Sequence, residues 1–261
     1  MPVQLTIAHD ITDQINLLAD RESPSEMELA RVKREIERIK NADVAQYYML
    51  LGMFYSVVGD EIESRSNHEK SLRLGSDIIF LENYAFSLKR LDAGIEALEL
   101  LLRAFEQAPT DEVLEEVAQA MIYAGDFAEF ERVVQRFERA NPEKRADSIR
   151  SVRYIATAID RFARAKVSIE DFKLSMAIVK AVLARKGFSN GIETMTFSSG
   201  AFDEVPHVDI VLRVKANSSD VLFDLNEEIA DAMAGSEDIE AWNRLVFTVC
   251  DHVAPAESEV A

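Results

Sequence analysis

The sequence predicts an α-helical solenoid of repeats followed by a small α+β domain. Three observations predict it. Gly 9 and Pro 6 are few for 261 residues, which favours helices. Pro109 and Pro142 lie 33 residues apart, and other residues match at the same shift. Beyond residue 167 stretches of strict apolar alternation join those of helical spacing.

Composition narrows the function classes. The length predicts one or two domains. Lys plus Arg is 29 and Asp plus Glu is 47, a net charge of −18. Hydrophobic residues at 48% and charged residues at 29% are those of a globular chain. The acidity argues against broad adhesion to nucleic acid or anionic membrane, because phosphates attract cations. Cys250 is the one cysteine, so no intrachain disulfide or thiolate cluster is expected, and a reducing, cytoplasmic setting fits. No apolar stretch approaches the roughly 18 residues of a membrane span. The start, MPVQLTIAHDITDQ, lacks the basic and long apolar parts of a signal peptide.

The shift of 33 aligns Leu81 with Leu114, Ala85 with Ala118 and Leu88 with Met121. Shifting back reaches Tyr48, Gly52 and Tyr55, with Ser76 in place of proline. Segments 45–77, 78–110 and 111–143 are therefore three copies of one unit. Each reads as two helices; Tyr48, Leu51, Tyr55 and Val58 show the three- and four-residue steps of the first. Gly59-Asp60 and Gly125-Asp126 fall where a helix–helix turn needs a left-handed residue, with Asp92-Ala93-Gly94 as the variant in the middle copy. Small residues at Gly52, Ala85 and Ala118 let the paired helix approach. Pro109 and Pro142 block continuation of the second helices.

This pattern resembles the tetratricopeptide repeat. Tyr48, Leu51-Gly52, Tyr55, Ser64, His68, Ser71 and Leu72 occupy its places in the first copy. Leu81, Ala85, Leu88, Ala97, Leu101, Ala104, Phe105 and Pro109 do so in the second. The third departs, with Phe130 and Phe137 where small residues are usual. The resemblance implies stacked hairpins with a concave face lined by the first helices.

Residues 1–44 are expected to cap the array, with a helical hairpin over 10–41. Ser23-Pro24-Ser25-Glu26 reads as a capping box with proline at the first helical position. Leu29, Val32, Ile36 and Ile39 form a stripe that packs on the first copy; a coiled-coil dimer is the alternative. Residues 144–167 read as a linking helix, inward at Ile149, Val152, Ile155, Ile159 and Phe162. Its other face carries Arg145, Arg150, Arg153, Arg161, Arg164 and Lys166, a surface for phosphate or, more simply, a set of solvated or paired cations.

Residues 168–252 read as the α+β domain. Ser168-x-x-Asp171 opens a helix that Gly187 ends. IETMTFS near 192–198 and HVDIVLRVK near 207–215 are strands, with GAFDEVP as the loop between. A helix over 219–234 and a strand RLVFTVC near 244–250 follow. The order helix–strand–strand–helix–strand resembles a ferredoxin-like domain without its first strand. Such a sheet has open edges. Either VQLTIA near the N-terminus supplies the missing strand, or another subunit pairs with the edge to give a homo-oligomer. Residues 253–261 are expected to be a disordered tail.

Catalytic patterns are absent. His207-Val-Asp209 and Cys250-Asp251-His252 carry metal-ligand types, but parallel strands would hold His207 and His252 about 25 Å apart. His68 falls on a core position. No phosphate loop or nucleophile elbow occurs, and Glu115-Glu116 and Glu227-Glu228 read as surface carboxylates. No enzyme activity, cofactor or metal is expected.

The outward positions of the first helices are Gln46, Met49, Met53 and Ser56, then Ile79, Glu82, Phe86 and Lys89, then Glu112, Glu115, Gln119 and Ile122. Exposed methionine and phenylalanine suggest a groove for a peptide or protein with apolar anchors and positive charge. The alternative is that flanking helices or a second chain cover them. The expected function is a non-enzymatic adaptor, its α+β domain serving oligomerisation or a second contact. An assembly or secretion chaperone, and a ligand-sensing or enzymatic α/β domain regulated by the repeats, are the rivals. A deep polar cleft in residues 168–252 would favour the last.

Overall fold

The computed structural model describes residues 2–21, 23–75, 77–188, 192–215 and 218–251, with side chains from residue 8 onward. Among them are eleven α-helices and one three-stranded sheet. The chain forms two compact units, residues 1–120 and 121–261. The expected tail at 253–261, and His252, lie outside the described residues.

The first unit opens with α1 (Pro2–Ala19) and α2 (Glu26–Ile39). VQLTIA is helical, so it supplies no strand to the sheet. Its alternation is too short to outweigh the helical spacing of Ile11, Ile15 and Leu18, all buried. The cap of α2 is Ser25, not Ser23: its side chain accepts from the Glu28 N–H, and Glu28 reaches back to the Ser25 N–H. Ser25-x-x-Glu28 satisfies the reciprocal pair with a full carboxylate reach, and Pro24 stays outside the helix. Val32, Ile36 and Ile39 are buried within the unit, joined there by Leu50, Met53 and Phe54, so the stripe is not a free coiled-coil seam.

The helix pairs follow: α3 (Val44–Val57) with α4 (Glu61–Leu74), and α5 (Ile78–Arg90) with α6 (Gly94–Gln107). Next come α7 (Asp111–Ala124) and α8 (Phe130–Ala140). The turns after α3, α5 and α7 each use one left-handed residue, at an interval of 33: Gly59 at φ 77°, Asp92 at φ 61° and Gly125 at φ 71°. Asp92, rather than Gly94, takes the left-handed place in the middle pair; aspartate tolerates it, and Gly94 starts α6. Leu81, Ala85 and Leu88 are buried, and so are their counterparts Leu114, Ala118 and Met121.

Polar groups tie α4 into the first unit. Ser64 Oγ donates to Gly52 O at 2.9 Å, and Ser71 Oγ donates to Ala45 O at 2.8 Å. Between them His68 Nε2 lies 2.8 Å from Ser87 Oγ, and its ring stacks on Tyr84 at 4.6 Å. In the next pair the same places hold Ala97, Leu101 and Ala104, all buried.

The second unit holds α9 (Arg150–Ala165), α10 (Ile169–Arg185), β1 (Thr194–Phe202), β2 (Val205–Val214), α11 (Ser219–Ala234) and β3 (Leu245–Asp251). The helix expected over 144–167 is shorter, because a 3-10 turn at Ala146–Ser148 precedes it. The sheet order is β1-β2-β3, antiparallel then parallel, as one crossover helix requires. Val208, Ile210, Leu212 and Val214 are fully buried on the inner face. Phe127, Phe162, Phe172 and Phe197 form an aromatic cluster under it, with ring centres 4.8–6.4 Å apart.

The expected hairpin loop GAFDEVP is almost all strand. The turn is Asp203-Glu204 alone, with φ of 47° and 66°. Two left-handed residues match the twist of the flanking strands, so a two-residue turn forms without glycine or asparagine.

Both sheet edges are partly occupied by helix side chains, contrary to the open edges expected. Tyr154 Oη and an Arg161 guanidinium N–H of α9 donate to the carbonyls of Met195 and Phe197 on β1. On β3, the Asn226 amide of α11 accepts from the Val249 N–H at 2.7 Å and donates to its carbonyl at 2.9 Å. A helix amide thus takes the place of a further strand.

Candidate partner-binding face

The twelve residues expected to line a groove do not share one environment. Met49 and Met53 are buried at 3% and 1% exposure, and Ser56 is buried with them. This corrects the expectation that they face solvent. The physical reason is α1: it packs on α3, and Ile11, Ile15 and Leu18 join Met49 and Met53 in one core. Arg90, at the end of α5, fastens it by donating to the carbonyl of Ala19 at 2.8 Å. Asn83 Nδ2 lies 3.3 Å from the Met49 sulfur. Gln46 is half-buried, its N–H taken by the cap residue Asp43 at 2.9 Å.

The α5 and α7 positions differ. Ile79 is 47% exposed. Glu82 and Phe86 are half-buried, Phe86 leaning on the core below. Lys89 Nζ lies 2.8 Å from a Glu116 carboxylate oxygen. Glu112 is exposed and Glu115 half-buried, with Gln119 donating to it at 2.8 Å. Ile122 is half-buried in the part of α7 that belongs to the second unit.

Glu82 has an unusual environment. Burial pushes its carboxyl above the ordinary value, and the charges of Glu116 and Glu112 push it further. A carboxylate so placed gains most from a cation brought to it. The sequence reading took Glu116 as a surface carboxylate and left it out of the groove, although its place one turn after Glu112 marks it for the same face.

A second concavity lies in the other unit. Lys166, Ser168, Glu170, Asp171, Leu174, Asp238, Glu240, Ala241 and Arg244 line a cleft of about 510 Å³. Asp171, one of the lining residues, is buried. Its carboxylate takes the Ser168 hydroxyl at 2.6 Å, the Ser168 N–H at 3.2 Å and the Glu240 N–H at 2.9 Å. Burial raises its pKa, but these bonds and one from the Ala241 N–H outweigh it and hold the carboxyl below its usual value. Asp171 is thus engaged in clipping α10 to the segment before β3, rather than free for acid–base work.

The remaining candidates resolve as follows. His207 Nε2 lies 3.2 Å from Asp209 Oδ1, and Ser198 Oγ lies 3.4 Å from Asp209 Oδ2. Among the described residues no group of three His, Cys, Asp or Glu side chains is placed to hold a metal, and no helix is long and apolar enough to cross a membrane. In the basic stretch, Arg145 pairs with Asp147, Arg164 with Asp160, and Arg161 serves β1, so half of the six cations have local partners. Comparison with protein-family models, curated proteins and solved structures finds no match for this chain.

Proposed function

We propose that the chain is a non-enzymatic adaptor of tetratricopeptide-like helical repeats, working in the cytoplasm, and that it recognises a partner segment on the α5–α7 face. The observation that carries this reading is Glu82. It is half-buried among like charges while Ile79 beside it stays exposed. An incoming Lys or Arg relieves the repulsion, and Ile79 and Phe86 give apolar purchase. The groove is shorter than the repeat pattern alone implies, since α1 covers the α3 part.

A fluorescent amphipathic helical peptide bearing Lys and Leu tests this against the full chain. Binding should be salt-sensitive, and Glu82→Gln together with Ile79→Ala should weaken it at least about tenfold. Equal affinity for wild type and variant, or for a peptide with Glu in place of Lys, defeats the proposal.

A second reading, ligand sensing by the α+β unit, is favoured by the polar cleft between Lys166 and Arg244. Raised thermal stability of the full chain with a small charged metabolite, lost in Arg244→Ala and retained in Glu82→Gln, would shift preference to it.

A further inference from the structure

The outer face of the sheet is not packed like the inner one. Even-numbered residues of β1 and β3 and odd-numbered residues of β2 share it, by the register of the strands. Three rows cross the strands. The middle row is Thr196, Val211 and Thr248. On one side of it stand Ser198, Asp209 and Val246; on the other stand Thr194, Arg213 and Cys250. Thr194, Thr196, Ser198 and Thr248 are exposed, and Val246 is 42% exposed. At the hairpin tip the same face carries Phe202, 75% exposed, opposite Val205.

This patch is self-complementary. Its middle row is β-branched and uncharged, and the rows beside it hold one acid and one base at equal distance from Val211. A two-fold axis lying between two such faces and crossing β2 at Val211 reverses the second strand. It sets Asp209 against the partner's Arg213 and Arg213 against the partner's Asp209. Ser198 then meets the partner's Thr194, and Val246 meets the partner's Cys250. No like charges oppose each other in the nine-residue patch. Intrachain contacts steady both charges without using all their capacity. Asp209 is held by His207 and Ser198, and an Arg213 guanidinium N–H donates to the Asp251 carbonyl at 3.2 Å.

We propose that this face seats a second copy of the chain, packed sheet to sheet with Val211 at the axis. It is the sheet's face, rather than its occupied edges, that makes the contact. Strands of nine, ten and seven residues, about 4.8 Å apart, give a face of roughly 410 Å². A standard stable interface needs about 800 Å² per partner, so the dimer is weak and reversible.

Sedimentation of the full chain from about 1 µM to about 1 mM tests this. Wild type should pass from monomer to dimer within that range. Asp209→Arg alone and Arg213→Asp alone should each weaken association at least about a hundredfold, because each opposes like charges twice per dimer. The double variant D209R/R213D should restore it, the pairing being reversed but intact. Thr196→Arg, which places two cations across the axis, provides an independent break at an exposed position. A wild type that stays monomeric, single variants that associate as wild type does, or a double variant no better than the singles overturns the proposal. Circular dichroism of each variant establishes that the fold is kept, and peptide binding at Glu82 should be unaffected throughout.

Discussion

Gly52 and His68 stand so close that a methyl group on Gly52 would lie 2.7 Å from both Cγ and Nε2 of the imidazole. The ring has little room to yield, since Ser87 bonds its Nε2 and Tyr84 stacks on its face. Gly52→Ala should therefore destabilise the first unit by about 1–2 kcal/mol, the overpacking cost exceeding the gain of about 1 kcal/mol in helix propensity. In a His68→Ala background the same change should stabilise instead. Urea denaturation of the four proteins in the cycle measures the coupling, and additive effects would refute the contact.

Burial also holds the His68 pKa down to about 3, against an ordinary 6.5. Its Nδ1 is buried without a hydrogen-bond partner among the described residues. The folded chain thus keeps His68 neutral while the unfolded chain protonates it below pH about 6.5. The unfolded state binds more protons in that window, so stability is full above it and falls as pH drops toward about 3. The slope from this group is about 1.4 kcal/mol per pH unit. His68→Leu, which copies the buried Leu101 33 residues later, should remove that part of the acid sensitivity. Parallel stability–pH curves for wild type and variant would refute it.

What the sequence showed of this fold follows from what side chains display. The interval of 33 was legible because Leu81 and Leu114, or Ala85 and Ala118, repeat one burial environment, and Gly59 and Gly125 repeat one backbone state. The strand order was legible because Val208, Ile210, Leu212 and Val214 alternate. Cover of Met49 and Met53 by a flanking helix stood only as an alternative, because nothing in those residues states which helix covers them. The edge protection was hidden, since Tyr154, Arg161 and Asn226 act on backbone groups that carry no sequence signal. Within the candidate site, the half-buried state of Glu82 beside the charges of Glu112 and Glu116 on α7 was not legible, because the period alone does not position α7.

Met53 separates stability from binding. With 1% exposure it belongs to the core that α1 completes. Met53→Glu should cost more than about 4 kcal/mol by burying an unpaired charge, and the helical signal of the first unit should melt early. Ile79→Glu, on the exposed side of α5, should change stability by less than about 0.5 kcal/mol. Thermal melts followed by circular dichroism decide between them; equal melting points would show that Met53 is not enclosed.

The hairpin turn offers a stabilising change. Asp203 and Glu204 both hold positive φ, where a side chain is crowded. Replacing the pair by Asn-Gly should raise the stability of the second unit by about 1 kcal/mol without altering the register of Phe202 with Val205. A destabilised variant in urea denaturation would argue that the two acids are needed at the tip.

Asn226 provides the sharpest test of how the sheet ends. Its amide meets both the N–H and the carbonyl of Val249, a residue 2% exposed. Asn226→Leu keeps the side chain's approximate size but leaves two backbone groups of buried Val249 without partners, at a cost of about 1–3 kcal/mol. It also bares an edge that can pair with another chain. The variant should therefore unfold at lower urea, and its amide at Val249 should exchange hydrogen faster than in wild type. It should also scatter light on standing where wild type stays clear. Unchanged exchange at Val249 would mean that solvent, rather than the helix amide, completes the edge.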